Sequence, residues 1–233
     1  GERIELLGSV LHGYTLHVTA DGGAEQDPED WWRALCLGTR GVLEQCGVPA
    51  AHVRAVSFSA GMQSFVPVDA AGRALRPGMT YMDQRGGAQH HAVMRRFPQV
   101  SGINVPVLAA SLWLTGAVSA SVKDPVWKYL WMRDNEPALF ARLAHWLDIK
   151  DYLAMRCTGR AAMTEDSGHV TFLYDTRGGK CARSGALCRM HGVDPAHLPD
   201  VIKATDRAGS LTPEAAGDLG LAPGIAVVAG GGT

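Results

Sequence analysis

Apolar Ile4, Leu6, Leu7 and Val10 are interspersed with polar residues at the start of the chain, and residues 2–10 (ERIELLGSV) read as a strand already under way. A polar connection rich in Gly, Thr and Asp runs to Gln26. A helix start follows: Asp27 suits the N-cap, Pro28 the first helical position, and Glu29 and Asp30 carry the charge favoured there. Trp31, Leu35, Val42, Leu43 and Cys46 then recur at helical spacing, and Gly47 closes the helix. The Trp31–Trp32 pair reads as packing. Residues 53–59 (VRAVSFS) form a β-branched strand leading into Ala60-Gly61. Strands are predicted at 65–68 and 79–82, with the turn Asp69-Ala70-Ala71-Gly72 between them.

Further along, helical signals dominate. A helix is expected from Arg85 to Phe97, closed by Pro98. Asp124-Pro125 opens another, with Trp127, Leu130 and Trp131 on its apolar face, and Pro137 opens one through Leu143. Asp148 to Cys157 forms a third, ending at Thr158-Gly159. Residues 161–179 read as short extended pieces and turns. Ser184 caps a helix to Gly192, and Thr212-Pro213-Glu214 starts one that stops at Gly220. The chain closes on a buried-type strand and a glycine turn (IAVVAGGGT, 225–233). Strands and helices in this order predict one α/β domain with a mixed sheet.

Composition removes several classes. Hydrophobic residues make 46% of the 233 and charged residues 19%, the balance of a chain with a real core. A net charge of −1 offers no footprint for nucleic acid. The longest apolar runs, 105–114 and 221–229, are too short for a bilayer, and no secretory start is visible. Five cysteines, an odd count with no C-x-x-C pair, read as reduced thiols in a cytoplasmic protein, several of them core fillers. No spacing matches a metal site. His90-His91 are neighbours on a helix and point in different directions. A nicotinamide-binding Rossmann unit is disfavoured because no glycine fingerprint follows the first strand.

Three places join glycine, a polar side chain and a strand end. The first is 57–64 (SFSAGMQS), where Ala60-Gly61 turns the chain and presents Met62, Gln63 and Ser64. Gln63 can both donate to and accept from a polyhydroxylated ligand, although spacing alone favours a β-turn with a soft core Met. At the second, 81–85 (YMDQR), Asp83 and Arg85 stand at a strand-to-helix junction. There a carboxylate can take two sugar hydroxyls or cap the helix. The third is Gly230-Gly231-Gly232-Thr233, whose backbone N–H groups can approach a phosphate or a reacting hydroxyl.

The strings AEQDPEDWW (24–32), VSFSAGMQSFVPVDAAGRALRPGMTYMDQR (56–85) and PVWKYLWMRDNEP (125–137) resemble the FGGY carbohydrate kinases. DYLAMRCTGR (151–160), the Asp166 and Asp175 region, and LTPEAAGDLGLAPGIAVVAGGGT (211–233) continue the resemblance over essentially the whole chain. The 56–85 block is its most specific part, nearest to xylulose and gluconate kinases.

The resemblance implies a ribonuclease-H-like fold of the actin and hexokinase type, with a mixed sheet flanked by helices. It makes residues 1–233 the N-terminal, sugar-binding domain, without the family's opening D-x-G-T phosphate hairpin and without its C-terminal domain. It further implies ATP-dependent phosphorylation of a sugar or polyol, a pentulose such as xylulose first, with ATP and Mg2+ held mainly by parts outside this chain. The small-molecule sugar is the expected partner, with neither nucleic acid nor membrane involved and with room for a homodimer. Met62 and Gln63 match the family's substrate motif, though xylulose and gluconate kinases usually carry His where Gln63 stands. Asp83 and Arg85 match its W-x-D-x-R motif, with Tyr81 replacing the Trp; they either contact sugar or fix the turn beside it. The family's general base is an Asp after the last glycine turn. Either Thr233 occupies that position or the Asp follows it, and the retained glycines favour the second. On this reading no catalytic residue lies within the chain. The alternative is a non-catalytic sugar-binding module that has lost the Asp.

Overall fold

A computed structural model describes residues 4–179 and 181–233. Strands His17–Val18 (β1) and Ala24–Gln26 (β2) precede the long helix Pro28–Cys46 (α1). Strands Ala55–Ala60 (β3), Val66–Val68 (β4) and Gly78–Met79 (β5) lead to helix Gly87–Met94 (α2). The pair Gln99–Val100 (β6) and Ile103–Asn104 (β7) is followed by helices Val105–Thr115 (α3), Pro125–Asn135 (α4) and Pro137–Phe140 (α5). Strand His145–Leu147 (β8) feeds helix Ile149–Thr158 (α6), then come Ala162–Thr164 (β9) and Glu165–His169 (α7). Tyr174–Asp175 (β10), Ala182–Arg183 (β11) and helix Gly185–His191 (α8) follow. The chain ends with Asp200–Ile202 (β12), Arg207–Ser210 (β13), Pro213–Leu219 (α9) and Ala226–Gly232 (β14).

Helix α1 starts as its residues dictate. The Asp27 carboxylate accepts from Glu29 N at 2.9 Å, and Gly47 closes the helix in the left-handed region at φ 62°. Trp31 and Trp32 are both buried. Their ring nitrogens donate to Gln26 and Asp218, so each indole keeps its hydrogen bond while packing.

Strand β14 is central to the sheet around which the site is built. It pairs antiparallel with β13 and parallel with β3. Helix α6 packs against these strands, its Cys157 buried in a cluster with Trp32, Phe58, Leu219 and Val227. A second cluster surrounds the fully buried Trp127 and Trp146, where Phe65 and Tyr129 stack against Trp146 with centroids 5.3 and 5.7 Å away. Thus α4 is anchored in the second cluster and α6 in the first.

The structure corrects several expectations. Residues 4–10 form no strand, and Ile4, Leu6 and Leu7 are exposed; residues 2 and 3 lie outside the described residues. An apolar-rich segment makes a strand only where a neighbour takes its backbone groups, and no described strand pairs with residues 4–10. The strand expected at 79–82 stops at Met79 because Thr80 folds the chain back. Its hydroxyl donates to Ala24 O and accepts from Met82 N. The helix expected from Arg85 to Phe97 is confined to Gly87–Met94, and that expected through Leu143 ends at Phe140. The apolar run 105–114 forms α3, and no helix among the described residues is long and apolar enough to cross a membrane.

The expected glycine turn is not a turn. Gly230, Gly231 and Gly232 stay in β14, with an irregularity in its pairing to β3 between Val228 and Gly231. Gly230 sits at φ 83°, and a Cβ there would lie 2.0 Å from Phe58 O. Backbone cannot yield as a flexible side chain can, so this position requires glycine. Gly230→Ala is expected to lower stability by more than ~2 kcal/mol in urea denaturation, combining left-handed strain with the clash. Gly231→Ala, with nothing within 4 Å of its Cβ, should stay within about 0.5 kcal/mol. Equal losses at the two positions would refute this account of the bulge.

Candidate active site

Strands β3 and β14 run in the same direction, and their C-terminal ends meet. Thr233 N donates to Ala60 O at 3.0 Å, and Met62 N to Thr233 O at 3.4 Å. Ligands of α/β sheets gather beyond such carboxyl ends. Gly61 to Ser64 forms the loop there, with Met62 and Gln63 half-buried and Ser64 buried. Met62 lies against the last strand: a Cβ on Gly232 would come within 2.1 Å of its Cγ.

Gln63 occupies the left-handed region at φ 66°, a strained conformation for a residue with a side chain. Three buried charged residues hold it there. Asp148, the N-cap of α6, accepts from Gln63 N (3.0 Å), Ser64 N (3.3 Å) and Ile149 N (2.9 Å). Lys128, on α4 and without solvent exposure, donates to Gln63 O at 2.5 Å and to Thr80 O at 2.8 Å. Asp124 receives the Gln63 side-chain Nε2 at 3.4 Å and Ser121 N at 3.1 Å. Asp124 makes no side-chain cap bond to α4, unlike the cap its position before Pro125 suggests.

Burial dominates the electrostatics of this cluster. It pushes the Asp148 carboxyl up to about 7, with nearby Asp151 adding to the rise and backbone N–H groups pulling back. It pushes Asp124 up to about 6 against the pull of Ser121 N and Lys128. The Lys128 ammonium is brought down to about 8 by burial, although Asp83, Asp148 and Asp124 all favour its charge.

The second wall is the 80s turn. Asp83 is fully buried; it accepts from Ala24 N (2.9 Å) and Arg85 N (3.1 Å) and pairs with the Arg85 guanidinium (2.6 Å). Arg85 also pairs with Glu25, and its guanidinium lies 4.4 Å from the Trp131 ring centroid. Arg76 joins the same network through Glu25 and Glu136. Asp83 and Arg85 therefore face each other, while Lys128 ties their turn to the Gln63 loop through Thr80 O.

A third group approaches from α7. The Asp166 carboxylate accepts from Gly232 N, and Lys150 Nζ lies 3.5 Å from its other oxygen. Burial pushes this carboxyl up, but bonds from Thr164 and Gly232 and the Lys150 charge outweigh it, leaving the group below the usual range. Lys150 is itself buried among Asp151, Ser167 and Thr164. The structure thus brings Met62, Gln63 and the end of β14 together and places Asp83 and Arg85 in a neighbouring turn that Lys128 joins to the Gln63 loop. Sequence reasoning missed Lys128 and Lys150. It read Asp124 and Asp148 as helix starts only, since a carboxylate before a helix gives no sign of a second partner far along the chain.

Residues 2–233 match the model of the N-terminal domain of the FGGY family of carbohydrate kinases. The chain is 32% identical over 210 residues to a xylulose kinase of Streptomyces rubiginosus, covering 87% of this chain and 39% of the relative. It is 28% identical over 239 residues to a xylulose kinase of Escherichia coli, covering 100% and 46%. The chain therefore spans less than half the length of these relatives. In fold it is similar to the crystal structure of xylulose kinase from Rhodospirillum rubrum, with TM-score 0.79 at 23% identity over 94% of this chain and 43% of the other. A gluconate kinase from Lactobacillus acidophilus gives TM-score 0.80 at 19% identity, over 95% and 42%. Those neighbours share the actin- and hexokinase-type ribonuclease-H-like fold expected from the sequence. The chain belongs to the FGGY family of carbohydrate kinases and corresponds to the N-terminal domain of that family.

Proposed function

We propose that this chain is the sugar-binding lobe of an ATP-dependent kinase for a sugar or polyol, a pentulose such as xylulose foremost. One observation carries the reading beyond family membership. A polar amide, Gln63, is held in a strained backbone conformation at the ends of two parallel strands by buried Asp148 and Lys128. Strain that the surroundings over-determine is a mark of functional positions.

Phosphoryl transfer asks the protein for a positioned acceptor hydroxyl, a carboxylate near it and neutralised phosphates. Gln63 binds a sugar hydroxyl, and Met62 forms an apolar wall beside it. Asp83 and Arg85 position the wall opposite instead of touching the sugar, because Asp83 is buried and their charges satisfy each other. The reacting hydroxyl lies beyond Gly232, where the base of the family's glycine motif stands at or just after Thr233.

The full-length protein should release ADP only when a sugar or polyol is supplied, as measured across a panel of ketoses, aldonates and polyols. Calorimetric sugar binding with no ADP from any compound would instead establish a non-catalytic sugar-binding module. Gln63→Ala should lower kcat/KM roughly 5- to 150-fold, equivalent to ~1–3 kcal/mol, with little loss of folding stability. Gln63→His should change the ratio of activities among sugars instead of lowering all of them equally. Wild-type kinetics in both variants would place the sugar elsewhere.

A further inference from the structure

Gln63 is the one polar side chain of its loop whose two ends can be told apart by their surroundings. Its Nε2 donates to Asp124, and its Oε1 accepts no hydrogen bond from a described residue. Its backbone is fixed at both ends, N on Asp148 and O on Lys128, so the side chain cannot leave by a movement of the loop. Asp124 is fixed as well: it is 2% exposed, and its second oxygen accepts from Ser121 N. An ionised carboxylate only accepts, so it can face only the donor end of the amide.

We propose that Asp124 is a specificity-determining positioning residue: it turns the Gln63 amide so that Oε1 meets the ligand, and the site takes a neutral sugar hydroxyl in preference to the carboxylate of an aldonate. This rests on the sugar site proposed above. A hydroxyl donates to Oε1. A carboxylate has no proton to give, so at the same place two acceptors would be opposed in a water-poor site. Asp124 before α4, Asp148 before α6 and Asp83 from the 80s turn surround the Lys128 ammonium, and Lys123 acts on it from its own element. Asp83 is paired with Arg85, and burial holds Asp148 partly protonated near neutral pH, so the charges around Gln63 nearly balance and the choice rests on the amide. The fold does not make this choice, since xylulose and gluconate kinases alike share it. The residue behind Gln63 makes it.

Asp124→Asn reverses the arrangement with almost no change of shape. The Asn oxygen keeps the bond from Ser121 N, its NH2 then faces Gln63, and only Oε1 can receive it. The amide turns over and presents Nε2. With ADP measured directly in the full-length protein, the ratio of kcat/KM for gluconate to that for xylulose should rise about 10-fold in this variant. The unaltered protein supplies a second readout. Burial raises the Asp124 carboxyl to about 6, and once protonated it donates to Oε1 and turns the same amide. The gluconate-to-xylulose ratio should therefore climb as pH falls through 6 in the wild type and stay flat in Asp124→Asn. Asp148 and Lys128 titrate nearby but are common to both proteins, so the difference between the two profiles belongs to Asp124.

An unchanged ratio in the variant, or parallel pH profiles, would reduce Asp124 to a structural role and overturn the inference. Wild-type preference for gluconate would overturn it while leaving the kinase reading standing. Absence of ADP with every sugar would overturn the kinase reading and this inference together. If Asp124→Asn fails to fold, Gln63→Ala, which has no amide to turn, replaces it as the reference: a wild-type ratio that rises below pH 6 while that variant's stays flat supports the inference, and parallel profiles end it.

Discussion

The ammonium of Lys128 is the constraint from which the site follows. It has no contact with solvent, and a buried charge must find hydrogen-bond partners or be neutralised. Its acceptors are two backbone carbonyls, Gln63 O and Thr80 O, on segments that the Phe65–Met79 backbone pair also joins. One side chain from α4 thereby adds a buried tie between the loop that carries Gln63 and the turn that carries Asp83. Because α4 is itself seated by Trp127, Tyr129 and Leu130 in the apolar core, core packing reaches the polar site through this lysine.

The same logic applies to the other buried charges. Asp148 caps α6 and holds two backbone N–H groups of the 60s loop, so the position of α6 and the conformation of Gln63 are coupled. Asp83, Arg85 and Glu25 form a network beside Trp131 that Arg76 and Glu136 extend. Buried ion pairs add little net stability, because desolvation offsets their attraction, while removing one partner strands the other. What such a network supplies here is position. At the end of β14 Asp166 accepts from Gly232 N, and Lys150 stands behind that carboxylate.

Local chemistry made part of this legible in the sequence. The start of α1 is contained in four consecutive residues, Asp27 to Asp30, and the chain folds there as those residues dictate. Features that depend on distant partners were not legible. Residues 4–10 read as a strand from their own sequence, but a sequence supplies no neighbour to pair with. The three glycines of β14 look like a turn until β3 is placed beside them, when Phe58 O leaves no room for a side chain at Gly230. Asp124 and Asp148 both precede helices, and only Asp148 caps one; each reaches a residue more than 60 positions away.

This separation bears on how the site can vary. Gln63 is visible in its motif, but its backbone conformation and the orientation of its amide are set by Asp148, Lys128 and Asp124, none of which lies in that motif. A lone left-handed residue costs of the order of 1–3 kcal/mol, so the loop keeps its shape only while the buried partners remain. Changing the residue at position 63 alone exchanges the functional group but leaves the carboxylate behind it. An imidazole placed there would meet Asp124 through a ring N–H and present its other nitrogen outward, an acceptor again while neutral. The residue in the motif supplies the chemistry, whereas the buried partner decides whether a donor or an acceptor faces the sugar.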